Sequence, residues 1–426
     1  MMKCPPYLRP IQQTLGCADF RRFVMGNFVS LTGTWMQRVA LGWLIWDLTG
    51  SGTWLGIVAA IEMLPAILIS PVGGTLADRY RLRGIILLTL LGALVSSAVL
   101  FLLTVIDIIT PYQIAIIVFV NGVMMGIYQP ARMAFMARLL PPEDLPSGLA
   151  LNSVTWNLAG FVGPLLTGLL IVHVGVSVVF AVNVLSYAAF ICILSCLRSL
   201  RAIEGVRSAA RPLVRELHEG VRYTIRHRGI RLILLLLLAC SIGIRPLIDL
   251  MPGLVGRLSD DGATALAILV SSIGMGALAG GIVVACRGAQ DLEKELGLLP
   301  LSAPGLMALA VLGFILVDAL WWAALMLVVV GGALAITTVS LQAVVQLAVD
   351  REMRGRVLGL YNMVFSGGPA VGALGMGLAS EMVGLEASLA AGAFVVLLVW
   401  IGVWRNRSIV SGSLRASRGH QESADP

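Results

Sequence analysis

Lysine is nearly missing from this chain. Of 426 residues only Lys3 and Lys294 are lysines, and neither follows a glycine. A Walker A loop needs a Gly-Lys step to hold nucleotide phosphates, so the chain does not hydrolyse ATP on its own. Histidine is also scarce: His173, His218, His227 and His420 are scattered, and no HExxH or GxSxG run exists. Metal and nucleophile chemistry lack their parts, and the expectation is no enzyme, no metal and no cofactor. The six cysteines (Cys4, Cys17, Cys192, Cys196, Cys240, Cys286) form no CxxC and no zinc spacing. Cys192 and Cys196 share a helical face and read as apolar filler. Charge is the largest deficit. Only 12% of residues are charged, against roughly 25% in a soluble domain. Residues 1–19 hold no apolar core that would make a signal peptide, so the first apolar segment is expected to act as an uncleaved anchor.

What remains is apolar. Hydrophobic residues make up 58% of the chain, with a mean hydropathy of +0.92. A membrane-crossing helix needs about 20 such residues. Twelve segments qualify, near 22–47, 53–77, 84–106, 112–138, 147–172, 175–197, 231–256, 263–286, 296–317, 319–347, 357–383 and 386–404. The expected fold class is an all-α polytopic membrane protein. Bases gather at alternate connections: Arg79, Arg81 and Arg83; Arg138; Arg287 and Lys294; Arg351, Arg354 and Arg356; and both tails. The other connections hold Asp47, Asp107, Asp260, Asp261, Asp318, Glu381 and Glu386, with Arg257 as their one base. This is the positive-inside pattern. It places both termini in the cytoplasm and directs the net charge of +7 at the lipid bilayer rather than at nucleic acid.

A basic stretch at 198–230 separates two sets of six segments. The expected organisation is a bundle at 1–197, a cytoplasmic linker at 198–230, a second bundle at 231–405 and a tail at 406–426. In the linker Leu213, Leu217, Val221 and Ile225 form one apolar stripe, which suits either a helix lying on an anionic leaflet or a solvated linker helix. The halves echo each other. LPPEDLPSGLALN at 140–152 and VDREMRGRVLGLYN at 349–362 each precede a Gly-Pro pair, Gly163-Pro164 and Gly368-Pro369. Paired halves suggest two bundles around a cavity.

Charges inside apolar segments are costly and point to function. Here they are Arg38, Glu62, Arg245 and Asp249. Arg38 lies nine residues before the end of its segment and Glu62 nine residues after the start of the next, so both sit ~13 Å from the same membrane edge. Arg245 and Asp249, four apart, would share a helix face. Each pair is either a structural ion pair or a proton-handling site. Burial opposes the ionised form of Glu62 and a neighbouring guanidinium favours it. Trp35, Gln37, Trp43 and Asn157 are candidates for a cavity wall, with membrane-interface anchoring as the alternative for the tryptophans.

Two motifs carry a resemblance. GGTLADRYRLR at 73–83, with Gly74, Asp78, Arg79, Arg81 and Arg83, resembles the loop signature of the major facilitator superfamily, with Arg81 where that signature has glycine. AGFVGPLLTG at 159–168, with Gly160, Gly163, Pro164 and Gly168, is similar to the antiporter signature of the same superfamily. The stretches at 30–51, 142–153 and 350–361 resemble the branch holding the enterobactin exporter and drug:proton antiporters. The arginine that many proton-coupled members carry before a glycine in helix four is absent from FVNG at 119–122; Arg132 lies further along, placed to pair with the loop motif. The resemblance implies a twelve-helix fold in a bacterial inner membrane. It implies a monomer that exports a small molecule, drug-like or siderophore, by proton-coupled alternating access. Uptake or lipid movement by the same fold is the alternative within transport. A receptor or scaffold would need no charged residues at mid-membrane, and this chain has four.

Overall fold

The computed structural model describes residues 14–197, 213–259, 261–294, 299–349 and 353–407, all in helices and short connections. The basic run from Arg198 to Arg211, the terminal tails, Lys3, Cys4 and His420 lie outside the described residues. In chain order the helices are α1 (Ala18–Thr49), α2 (Gly52–Arg79), α3 (Leu82–Val105), α4 (Pro111–Leu139), α5 (Leu145–His173) and α6 (Val176–Cys196). Then come α7 (Leu213–Arg226), α8 (Arg228–Gly243), α9 (Leu247–Leu250), α10 (Gly262–Lys294), α11 (Leu299–Leu316), α12 (Leu320–Ala348), α13 (Arg354–Val383) and α14 (Leu385–Arg405). Among the described residues ten spans are long and apolar enough to cross a membrane, one of them Arg228–Gly253. The polar-bearing α1 and the shorter α11 complete the twelve. Helix is what lipid demands, because every backbone N–H and C=O must find its partner inside the segment.

Local chemistry sets the helix ends. At the start of α4 the Thr110 side chain accepts from the Gln113 backbone, Gln113 Oε1 accepts from the Thr110 N–H at 2.8 Å, and Pro111 follows. This is a reciprocal cap with proline at the first helical position. The corner between α5 and α6 turns at Gly175 (φ +107°, ψ 162°), and that between α13 and α14 at Gly384 (φ +85°, ψ 158°). Both lie in a backbone region essentially reserved for glycine, at equivalent points of the two halves.

The chain forms two compact units. One comprises Met1–Thr49, Ile61–Ser208 and Leu266–Ser271; the other Gly50–Ala60, Ala209–Ala265 and Ser272–Pro426. In the first, α1 packs on α5 and α6, and α3 packs on α4 and α6. In the second, α8 packs on α13 and α14, and α11 packs on α12 and α14. The pairing scheme is repeated, as the echoed sequences suggested. The first core centres on Phe20, Phe23, Phe135 and Phe190, with Phe23 5.6 Å from Phe135 and 5.8 Å from Phe190 between ring centres. The second centres on Ile233, Leu237, Val345 and Tyr361.

Three expectations change. The seventh segment is not one helix. It breaks after Gly243, and Pro246, which has no N–H to donate, stands between α8 and α9. Arg245 therefore lies in the break, and the four-residue spacing to Asp249 does not put them on one continuous helical face. The loop signature is mostly helix: α2 runs through Arg79 and α3 begins at Leu82. The linker helix α7 docks on protein. Glu219 pairs with Arg356 at 3.0 Å, and a Cβ on Gly220 would stand 3.1 Å from the Arg356 carbonyl oxygen. Val221 and Ile225 remain exposed, while the side chains of Leu213 and Leu217 lie outside the described residues.

Gly175→Ala and Gly384→Ala should each lower the thermal unfolding midpoint in detergent, at a cost of about 1–3 kcal/mol, although no atom lies near either position. Gly375→Ala, in a helix and equally uncrowded, should leave the midpoint unchanged or raise it.

Candidate substrate and proton site

The site begins with a buried polar cluster. In an apolar interior a polar group is stable only when hydrogen-bonded. Gln37 on α1 is 7% exposed, and Ser97 on α3 and Asn183 on α6 are fully buried. Ser97 Oγ donates to Gln37 Oε1 at 2.6 Å and Asn183 Nδ2 donates to the same oxygen at 2.8 Å. Ser186 Oγ donates to Asn183 Oδ1 at 2.8 Å. A Cβ on Gly33, one turn before Gln37, would overlap Ser186 and Asn183, so only glycine lets α1 and α6 close over this cluster. The rotation of α1 about its axis is thereby fixed, and with it the directions of Thr34, Trp35 and Arg38.

Those directions lead into a cavity of about 180 Å³ within the first unit. Arg38 from α1 and Glu62 from α2 both line it, each half-buried. The Arg38 guanidinium carbon lies 5.6 Å from the centre of the Trp35 ring. Trp35 meets Trp156 edge-on at 5.8 Å and 71°. Thr34 and Tyr187 share a hydrogen bond of 3.1 Å across the wall. Met63, Met124 and Met125 supply soft apolar surface that adapts to irregular shapes.

The antiporter-like motif stands directly behind Trp35. A Cβ on Gly163 would come within 2.7 Å of the Trp35 Cβ, and one on Gly160 within 3.4 Å of its ring. Thr167 Oγ1 donates to the Gly163 carbonyl of its own helix at 2.9 Å and reaches the Met36 carbonyl of α1 at 3.3 Å. Pro164 and Gly168 are buried as well. The small residues let α5 press against α1 and hold the indole toward the cavity.

Arg132 on α4 is 3% exposed. It donates to Asn152 at 2.8 Å, to Asn27 at 3.3 Å and to Gln129 at 3.0 and 3.3 Å. Amide oxygens thus receive it, where the sequence suggested the loop motif. Gln129 also lines the cavity, which joins the two polar systems.

The remaining candidates lie elsewhere. Trp43 and Asn157 do not line the cavity; Asn157 donates to the Ser153 carbonyl of its own helix at 2.9 Å. Asp78 and Arg79 are exposed at the end of α2, and Gly74 faces open space. Arg83 donates to the carbonyls of Leu197, at 3.0 Å, and Ser195, beyond and within the last turn of α6. In the second unit the Arg245 guanidinium donates to the Phe365 carbonyl and lies 3.9 Å from that ring's centre; Asp249 is half-buried. The sequence reading missed Asn121, Tyr128, Gln129 and Tyr187 on the wall and Ser97 and Asn183 behind it. The cost rule applied to charges would have flagged Asn121, Gln129 and Asn183 as amides within apolar segments.

Residues 9–418 match the family described as transmembrane secretion effector. The enterobactin exporter EntS of Escherichia coli is 24% identical over 395 residues, 90% of each chain. The staphyloferrin A transporter of Staphylococcus aureus is 24% identical over 176 residues, 41% of this chain and 44% of that one. Macrolide efflux protein A of Streptococcus pyogenes is 22% identical over 210 residues, 49% and 52%. The chain thus spans about half the length of the last two relatives. Among solved structures, a mutant of the nucleoside transporter NupG superposes with a TM-score of 0.72 at 13% identity, covering 91% of this chain and 99% of that one. The D-xylose-proton symporter gives 0.70 at 13%, covering 90% and 97%. At that identity the likeness shows the fold.

Asn183→Ala should lower stability by about 1–3 kcal/mol, the cost of leaving buried polar partners unsatisfied. The checking measurement is thermal unfolding in detergent. Ser186→Ala, which removes the hydroxyl contacts to the Asn183 side chain and carbonyl and leaves the bonds to Gln37 in place, should cost less.

Proposed function

We propose, from the premise that this chain belongs to the transmembrane secretion effector family of major facilitator transporters, that it exports a small amphipathic molecule at the expense of a proton gradient. One observation carries this reading. Arg38 and Glu62, on consecutive helices, line the same cavity, and the chain has no nucleotide-binding loop to supply energy otherwise. In the reading, Glu62 takes up the coupled proton and Arg38 favours its release. Transport follows when substrate and proton bias the equilibrium between two arrangements of the bundles, which requires that each bind the arrangements unequally.

The wall chemistry supports an amphipathic cargo. Trp35, Trp156 and the three methionines offer apolar surface, while Thr34, Asn121 and Gln129 offer hydrogen bonds. This is the usual make-up of a small-molecule site. The names of the relatives, a siderophore exporter and a macrolide efflux protein, favour cargo of those two classes and outward movement. The alternation of bases along the chain supports cytoplasmic termini in a bacterial inner membrane.

In vesicles with an imposed proton gradient, tested against siderophores and macrolides, Glu62→Gln should abolish uphill accumulation and leave substrate exchange intact. Uphill transport by Glu62→Gln with an unchanged pH profile would remove Glu62 from the mechanism and turn attention to Asp249. A reporter active only outside the cell, fused after Arg405, should stay silent; a strong signal there would reverse the orientation.

A further inference from the structure

A second recess lies on the outside of the first unit. It is an open groove of about 1070 Å³ between α2, α3 and α4. Its floor and sides are apolar: Leu88 is 70% exposed, Val95 52% and Val120 38%, and all three line it. In a chain that spans a bilayer, such surface faces hydrocarbon. One end differs. Arg79, Tyr80 and Arg81 form the mouth, and all three are exposed. Neither guanidinium has a hydrogen bond or ion pair among the described residues, whereas neighbouring Arg83 is used up on the carbonyls beside α6. Asp78 does not line the groove.

We propose that this groove binds one anionic glycerophospholipid, with its phosphate on Arg79 and Arg81 and an acyl chain along α3. The charge fits, because two bases with no partner among the described residues face the headgroup level and no carboxylate lines the groove. The shape of guanidinium fits phosphate oxygens. The length fits as well. Arg81 and Val95 both line the groove, and the helical rise between them is ~21 Å. That spans from the headgroup region past the ~15 Å of hydrocarbon in one leaflet. The seat also touches the transport site. Thr89 and Met124 line both the groove and the cavity, so these side chains form part of the wall between the lipid tail and the cavity. The proposal requires that the chain lie in a bilayer and is independent of the direction of transport and of proton coupling.

The test uses the full chain, delipidated in detergent, with bound lipid counted by native mass spectrometry. The probes are dioleoyl phosphatidylglycerol, dioleoyl phosphatidylethanolamine and glycerol 3-phosphate. Phosphatidylglycerol should bind preferentially, and the R79A/R81A double variant should weaken it roughly thirtyfold, with recovery in R79K/R81K. Gly84 lines the groove, and a Cβ there meets nothing within 4 Å. G84W should therefore fill the groove and expel the lipid while both arginines remain. If G84W does not fold, L88W fills the same space from an exposed position. Equal binding of the two lipids, insensitivity to R79A/R81A, or undiminished binding with the groove filled would each overturn the proposal. Glycerol 3-phosphate binding as tightly as the lipid would overturn it too, as a free-phosphate site.

Discussion

Everything the first unit presents to its cavity depends on one oxygen. Gln37 Oε1 receives hydrogen bonds from Ser97 and Asn183, so three helices meet at one buried side chain. In hydrocarbon the alternative to a made bond is a bare polar group at several kcal/mol. That penalty is directional, unlike apolar packing, which tolerates small rotations. Rotating α1 by a fraction of a turn would break both bonds and swing Arg38, Thr34 and Trp35 away from the cavity. Gly33 completes the lock by removing the one side-chain atom that would hold α1 and α6 apart.

The helices that enclose the cavity are apolar almost all round, and the seams between them are set by small residues. The antiporter-like run shows what such a motif does physically here. Gly160 and Gly163 bring α5 against Trp35, and Thr167 ties the backbones together through Met36. Close approach in place of a bulky interface keeps the indole at the wall. Tight packing of this kind resists continuous deformation, so rearrangement of a bundle proceeds between discrete packings.

The two units share a pairing scheme and differ in chemistry. The same four helix pairings and the same glycine corner occur in each. In the first unit the base and acid sit on intact, consecutive helices and line one cavity. In the second, the helix is interrupted at Ile244–Pro246, and Arg245 donates to a backbone carbonyl and lies over an aromatic ring of α13. Tyr361 of that helix reaches the Thr338 carbonyl at 2.7 Å, a bond that ties α13 to α12. The repeat is thus architectural, with the ionisable pair of the first unit set in a different environment from that of the second.

The sequence by itself determined the class, the span count and the echo of the halves. Each of these depends on quantities that run along one dimension: hydropathy, helix length, charge order and rise per residue. It also pointed to Gln37 and Trp35 as wall residues. Only the tertiary structure decided azimuth, meaning which side of each helix meets which neighbour. Trp43 and Asn157 carry the same chemistry as Trp35 and Gln37 and face elsewhere. Arg132 found three amides instead of the loop motif: Gln129 lies three residues back on its own helix, but Asn27 and Asn152 come from α1 and α5, which no spacing rule links to it. The break before Pro246 placed Arg245 off a helical face that its spacing from Asp249 had implied. A helix apolar on every side has no amphipathic stripe to announce its orientation, so contacts between distant segments, made in three dimensions, had to supply it.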